Sequence, residues 1–119
     1  MFKGKLATPN GFKPYENKED RILLWKILMK CSDVCNPTKD WPIYERWCHL
    51  ILDEWFAQGD LERKLGLNVS PFMDRDNVNV PSSQTGFIDF VVSPLFEAYD
   101  KYAPVPNLIG TLQRNREHW

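Results

Sequence analysis

From Ile22 to Ser32 the chain is apolar except at Lys26, Lys30 and Ser32, and it then meets a carboxylate at Asp33. At ~100° per residue, Ile22, Met29 and Asp33 fall on one face of a helix. A run this apolar must be buried against something, so it fixes a core helix from about residue 18 to 33. A charge at the end of a buried face is costly unless a cation, a metal or several donors meet it. Asn36-Pro37 stops the helix within one turn and constrains the path of the next segment. Asp33 therefore has the pattern of a ligand. The plain alternative is a helix C-terminal Asp satisfied by backbone or by a lysine.

The 119 residues suffice for one small domain, and 43% hydrophobic content supports a packed core. With 15 basic against 16 acidic residues, nothing favours a nucleic-acid or anionic-membrane surface. No apolar run approaches the ~20 residues of a membrane span, and Met1-Phe2-Lys3-Gly4-Lys5 lacks the apolar core of a signal peptide. Cys31, Cys35 and Cys48 form no standard zinc pair, and only His49 and His118 could join them. They read as reduced thiols of a cytoplasmic protein.

Residues 1–16 carry Gly4, Pro9, Gly11 and Pro14 with little periodicity and read as an extended or loop lead-in; the domain proper is expected over 17–119. Asn17 is an N-cap with Asp20 at the third helical position. Asp40 caps a second helix, from about 41 to 58, with an expected apolar stripe of Ile43, Trp47, Leu50 and Ile51 and with Glu54 on the same face. A shorter helical piece from Asp60 to Leu65 should end at Gly66. Residues 68–82 read as a long loop, which in a small domain is functional or mobile. Ser82 or Ser83 is expected to cap a helix to about 102, kinked at Pro94, with Gln84, Phe87, Ile88, Val91 and Leu95 inward. Asn107 should cap a last helix. No strand pattern is present, so the fold class is all-α.

Three constellations carry chemistry. In Asp33-Val34-Cys35-Asn36-Pro37, Asp33 offers a hard oxygen suited to Zn²⁺ or Mg²⁺, and Asn36 offers a donor and an acceptor one turn later. In Leu52-Asp53-Glu54-Trp55-Phe56, Glu54 could accept from a histidine or a metal-bound water, or simply reach solvent. In Ser83-Gln84-Thr85-Gly86-Phe87, Gln84 and Phe87 are neighbours on one helix. A Gln amide can read a purine edge with two hydrogen bonds and a Phe can stack on the ring; equally, they could be a helix-terminal Gln and a core Phe. No glycine-rich phosphate loop, GxSxG, HExxH or EF-hand is present.

In this order and spacing the three constellations resemble the C-terminal part of the class I 3′,5′-cyclic nucleotide phosphodiesterase catalytic domain, from about residue 17 to Trp119. The matching stretches are Lys30 to Pro37, Glu54-Trp55-Phe56-Ala57-Gln58-Gly59-Asp60, Leu65 to Arg75 and Ser83 to Phe90. The resemblance implies that Asp33 completes a zinc site and that Gln84 hydrogen-bonds the purine of cAMP or cGMP. It implies that Phe87 and Ile51 clamp the base and that Asn36, Tyr44 and Trp47 line the nucleotide pocket. Glu54 would belong to the carboxylates around the metals, and Ser70, Pro71 and Phe72 to a mobile loop bordering the pocket. The implied cofactors are Zn²⁺ and Mg²⁺ (or Mn²⁺), and the implied reaction is metal-assisted hydrolysis to the 5′-monophosphate in signal transduction.

One departure from the family pattern is large. The family's metal site also uses two histidines and a further aspartate upstream of Asp33, and its general acid is another upstream histidine. This chain has no histidine before His49. The expectation is a fragment that lacks the metal-binding half and is inactive alone. Its partners would be the cyclic nucleotide and either the missing half or a second copy. The rival expectation is a truncated, non-catalytic helical interaction module.

Overall fold

The computed structural model describes residues 1–119, all helix, turn and loop with no strand. The helices are α1 (Phe2–Leu6), α2 (Lys18–Asp33) and α3 (Trp41–Lys64), then α4 (Val80–Phe87), α5 (Ser93–Asp100) and α6 (Pro106–His118). A 3-10 turn at Asn36–Thr38 joins α2 to α3, and a π turn at Ile88–Val92 joins α4 to α5. The molecule is a slab of 54 × 31 × 19 Å with a radius of gyration of 17.5 Å. A compact domain of this length would have about 13.5 Å.

Helix α2 starts where the sequence places it. The Asn17 side chain accepts from the Glu19 and Asp20 backbone N–H groups. Its inner face, however, is Asp20, Leu23 and Cys31, with Ile27 half-buried. Ile22, Trp25 and Met29 are exposed, and so is Asp33, so the face expected to be buried looks outward. Apart from Lys26, Lys30 and Ser32 the run is apolar, so the spacing of its apolar residues alone left more than one inward side open; packing chose the Leu23–Cys31 side. In place of Asp33, the buried carboxylate of this helix is Asp20. It takes the Lys5 ammonium and the Lys13 backbone N–H, the latter at 2.9 Å. Together these hold its carboxyl below the usual range. Lys5 is thus a partner, and the lead-in folds as α1, seating Phe2 against Leu23 and Ala98.

Helix α3 is a single helix through Gln58 and Asp60, with no break between the two pieces expected. It ends in a Schellman turn: Leu67 N–H donates to Glu62 C=O and Gly66 N–H to Arg63 C=O, with Gly66 at φ +73°. Its buried stripe is Tyr44, Cys48, Leu52 and Gly59, while Ile43, Trp47 and Leu50 are each about half exposed. The expected stripe was one residue out of phase, because α3 carries apolar residues on both sides and only one side has a partner. Asp40 holds the N-cap position without a side-chain cap bond.

At the next helix, Asn79 is the cap, accepting from Ser82 N–H, rather than Ser82 or Ser83. Pro94 stands in the first turn of α5, directly after the π turn that interrupts the helix expected to run to about 102. A proline clashes with the carbonyl four residues earlier, and the wider π turn just before α5 takes up that conflict. Ile88, Val92 and Phe96 face the core, with Val91 turned out. Helix α6 begins at Pro106 without a side-chain cap, so Asn107 lies inside it.

Candidate nucleotide-binding site

A cleft of about 470 Å³ opens where α2, α3 and α4 converge. The end of α2 and the 3-10 turn bring Asp33 and Asn36 to it; α3 brings Cys48, Ile51 and Trp55; α4 brings Gln84, Gly86 and Phe87. Five of the eight residues singled out in the sequence therefore line one cavity: Asp33, Asn36, Ile51, Gln84 and Phe87. Ile51 and Phe87 are both part-exposed apolar walls. A methyl added at Gly86 would meet nothing within 4 Å, so that glycine leaves open space in the lining.

Tyr44 lies beneath the lining, fully buried. Its hydroxyl donates to Gln84 Oε1 at 2.8 Å and accepts from the Trp119 indole Nε1–H at 3.0 Å. Burial pushes the Tyr44 phenol up to about 12, so it keeps its proton at neutral pH. The direction of this chain is set by Trp119, because an indole N–H can only donate. Tyr44 then has its own proton to place, and Gln84 Oε1 is the acceptor it finds. The amide oxygen is thereby held inward, leaving Nε2–H₂ free to act as a donor. Trp119 is itself held by edge-on contacts with Trp41 and Tyr44, while His118 stacks on Trp41 at 3.7 Å.

Trp47 and Glu54 lie outside the lining, both exposed on α3. Asp33 has no hydrogen-bond or ion-pair partner among the contacts of the chain, and no group of three or more His, Cys, Asp or Glu is placed to hold an ion. The residues present do not on their own fit a Zn²⁺, Mg²⁺ or Mn²⁺ site.

The loop from Gly66 to Asn79 borders the cleft through Phe72, which sits at φ +66° and is exposed. It is pinned to α3. Glu62 accepts from Ser70 N–H and Oγ–H at 2.7 and 2.8 Å, and its carboxyl is held low by Gln58 and Ser70. Arg63 pairs with Asp74 at 2.7 Å, and Arg75 forks onto Asp60 at 3.2 and 2.5 Å. Gly59 is where the loop backbone crosses the helix: a Cβ there would lie 1.9 Å from the Met73 carbonyl oxygen.

Sequence reasoning missed Cys48, Trp55 and Trp119. The first two follow Tyr44 and Ile51 at four-residue spacing, so a stripe begun at Tyr44 would have found them. Burial pushes the Cys48 thiol up to about 11, so it faces the cleft as a neutral group. Trp119 gave no local signal, since its partner is 75 residues away.

The chain is all-helical, and its cleft is lined by a hydrogen-bonded amide, Gln84, together with the apolar side chains of Ile51 and Phe87. The family described as 3′5′-cyclic nucleotide phosphodiesterase matches residues 1–114. The chain belongs to that family, and the match takes in the lead-in and α1 as well as the rest. It is 40% identical over its whole length to a "3',5'-cyclic-AMP phosphodiesterase" of Drosophila melanogaster, of which it spans 11%. It is 40% identical over 98% of its length to "3',5'-cyclic-AMP phosphodiesterase 4C" of Rattus norvegicus, of which it spans 22%. The solved structure of LmjPDEB1 in complex with IBMX superposes with a TM-score of 0.89 at 30% identity, covering 99% of this chain and 35% of that one. The chain thus spans less than a quarter of the length of these curated relatives.

Proposed function

We propose that this chain is the base-holding part of a 3′,5′-cyclic nucleotide phosphodiesterase, selecting cAMP. The observation that carries the reading is the Tyr44–Gln84 hydrogen bond at the cleft. An amide held in one orientation offers its donor at one point and the second lone pair of its oxygen beside it. Adenine presents a ring-nitrogen acceptor beside an amino donor; guanine presents the same two functions reversed. A fixed amide therefore matches one base and not the other, and the names of the relatives favour adenine. Ile51 and Phe87 would clamp the ring, and Asn36 would add a polar contact beside it, orienting the phosphate for attack.

Zn²⁺ and Mg²⁺ (or Mn²⁺) would supply Lewis-acid chemistry in the whole enzyme. Asp33 would be one arm of that site, with the other ligands and the general acid coming from residues outside this chain; Trp47 and Glu54 would complete the surroundings when that part is in place. On this reading the chain alone is inactive.

A second reading, association, is supported by the exposed apolar side chains Trp25, Met29, Trp47 and Leu50. The accessible surface is 8212 Å², against about 6,700 Å² expected for a free monomer of this mass. That excess suits a face made to be covered by the metal-binding half, or by a second copy.

The test uses a full-length phosphodiesterase containing this chain. Asp33→Ala should remove turnover and metal, while Gln84→Ala should raise KM and leave metal content unchanged. Normal metal content and rate in Asp33→Ala would sink the ligand assignment.

A further inference from the structure

We infer that Asn115, on α6, is a positioning residue for the wall of the cleft that carries Asp33 and Asn36. This rests on the base-holding reading of the cleft, but its geometry stands apart from the Trp119–Tyr44–Gln84 chain.

Asn115 is 4% exposed on a helix that contributes nothing to the cleft lining. A buried amide needs partners, and its Nδ2 group spends both hydrogens on one short segment: Pro37 C=O at 2.8 Å and Lys39 C=O at 2.7 Å. Those carbonyls belong to the middle residue of the 3-10 turn and to its C-cap, and no backbone donor reaches either of them. The turn has few bonds of its own, namely Thr38 N–H to Cys35 C=O and Lys39 N–H to Asn36 C=O, with the Thr38 hydroxyl also on Cys35 C=O. The path of the chain between the end of α2 and the start of α3 is therefore set from outside, by a side chain 78 residues away. Asn36 opens that turn, and Asp33 is the last residue of α2 just before it.

Helix α6 and its C-cap residue Trp119 thus reach the cleft by two separate routes. Asn115 acts on the Asp33–Asn36 wall through backbone carbonyls, and Trp119 acts on the Gln84 wall through Tyr44. A third contact, the Arg116 fork onto Asp89 of the π turn at 2.6 and 2.7 Å, is exposed and touches neither wall.

The test is NMR on the isotope-labelled chain, reading the side-chain amides of Asn36 and Gln84, followed by titration with 5′-AMP. Asn115→Leu keeps the bulk and removes both donors; Asn115→Asp keeps the shape and replaces donors with acceptors. Both should shift or broaden the Asn36 signals while leaving Gln84 in place. Trp119→Phe should do the reverse, and Arg116→Gln should move neither. Affinity for 5′-AMP should fall about tenfold in the Asn115 variants, equivalent to ~1.4 kcal/mol. An unmoved Asn36 in a folded Asn115 variant overturns the inference. So does equal movement of Asn36 and Gln84 in every α6 variant, and so does loss of the fold in both Asn115 variants, which would make the residue a general support. If the parent chain fails to bind 5′-AMP but the amide signals behave as stated, the base-holding reading fails and the positioning role stands.

Discussion

The Tyr44 hydroxyl holds Gln84 Oε1 at 2.8 Å across forty residues of sequence, and it does so with the proton left over after accepting from Trp119. This single contact converts a freely rotating amide into a group with a defined donor side. Tyr44 is fully buried, so its hydroxyl cannot turn to water if Gln84 is removed.

Tyr44→Phe should therefore act twice. It orphans the Trp119 N–H and the Gln84 oxygen, at a cost of about 1–3 kcal/mol, readable as a lower urea midpoint with unchanged slope. It also frees the amide to rotate, so discrimination between adenine and guanine nucleotides should shrink in a full-length enzyme. Unchanged discrimination would mean that something other than Tyr44 orients Gln84.

Two glycines should respond with opposite signs. In Gly59→Ala the new methyl would run into the Met73 backbone carbonyl, which cannot move without lifting the loop from α3. The expected loss is ~1–3 kcal/mol, with faster proteolysis between Ser70 and Asn79. Gly86 lies inside α4 with open space around it, so Gly86→Ala should add about 0.5–1 kcal/mol of stability through helix propensity. The added methyl occupies cleft lining, so nucleotide affinity should drop as stability rises.

Asp20, the buried one of several carboxylates held low in the fold, contributes to the chain's acid limit. Its carboxyl is lowered in the folded state, chiefly by the Lys5 side-chain bond and then by the Lys13 backbone N–H. A lowered folded value means that its stabilisation is fully present above the unfolded value of about 3.9 and is lost as pH falls through the folded value. Melting temperature should decline below about pH 4, and Asp20→Asn should flatten that decline while lowering stability at pH 7. Parallel pH curves for the two proteins would remove Asp20 from the account.

Asp33 should separate folding from chemistry. It is exposed and has no partner within the chain, so Asp33→Ala should change the stability of the chain by no more than about 0.5 kcal/mol. A large destabilisation, measured by thermal unfolding, would show a structural role that its surroundings do not suggest.

Several features were legible in the sequence because they are local. The Asn17 cap and the Gly66 terminator follow from short-range chemistry, and the motifs around Asp33, Asn36, Gln84 and Phe87 named residues that the fold brings to one cleft. Facing direction was not legible. In α2 and α3 the apolar residues wrap most of the helix, so a period of 3.6 admits two inward faces. Only the neighbours could decide between Met29 and Leu23–Cys31, or between Trp47 and Tyr44–Cys48. The long loop was found, but its pinning by Glu62, Arg63 and Asp60 was not, since charges within a loop do not announce their partners.

By itself the sequence determined that this chain is all-helical, where α2 begins and ends and where α3 begins, and which family it resembles, because propensity, capping and motif chemistry act over a few residues. The tertiary structure decided which faces are buried, that Asp20 rather than Asp33 is the buried carboxylate of α2, and that α6 holds the cleft through Asn115 and Trp119. Those contacts join residues 15 to 78 positions apart. They exist only once the packing of the helices has brought their ends within hydrogen-bond reach, which no local pattern encodes.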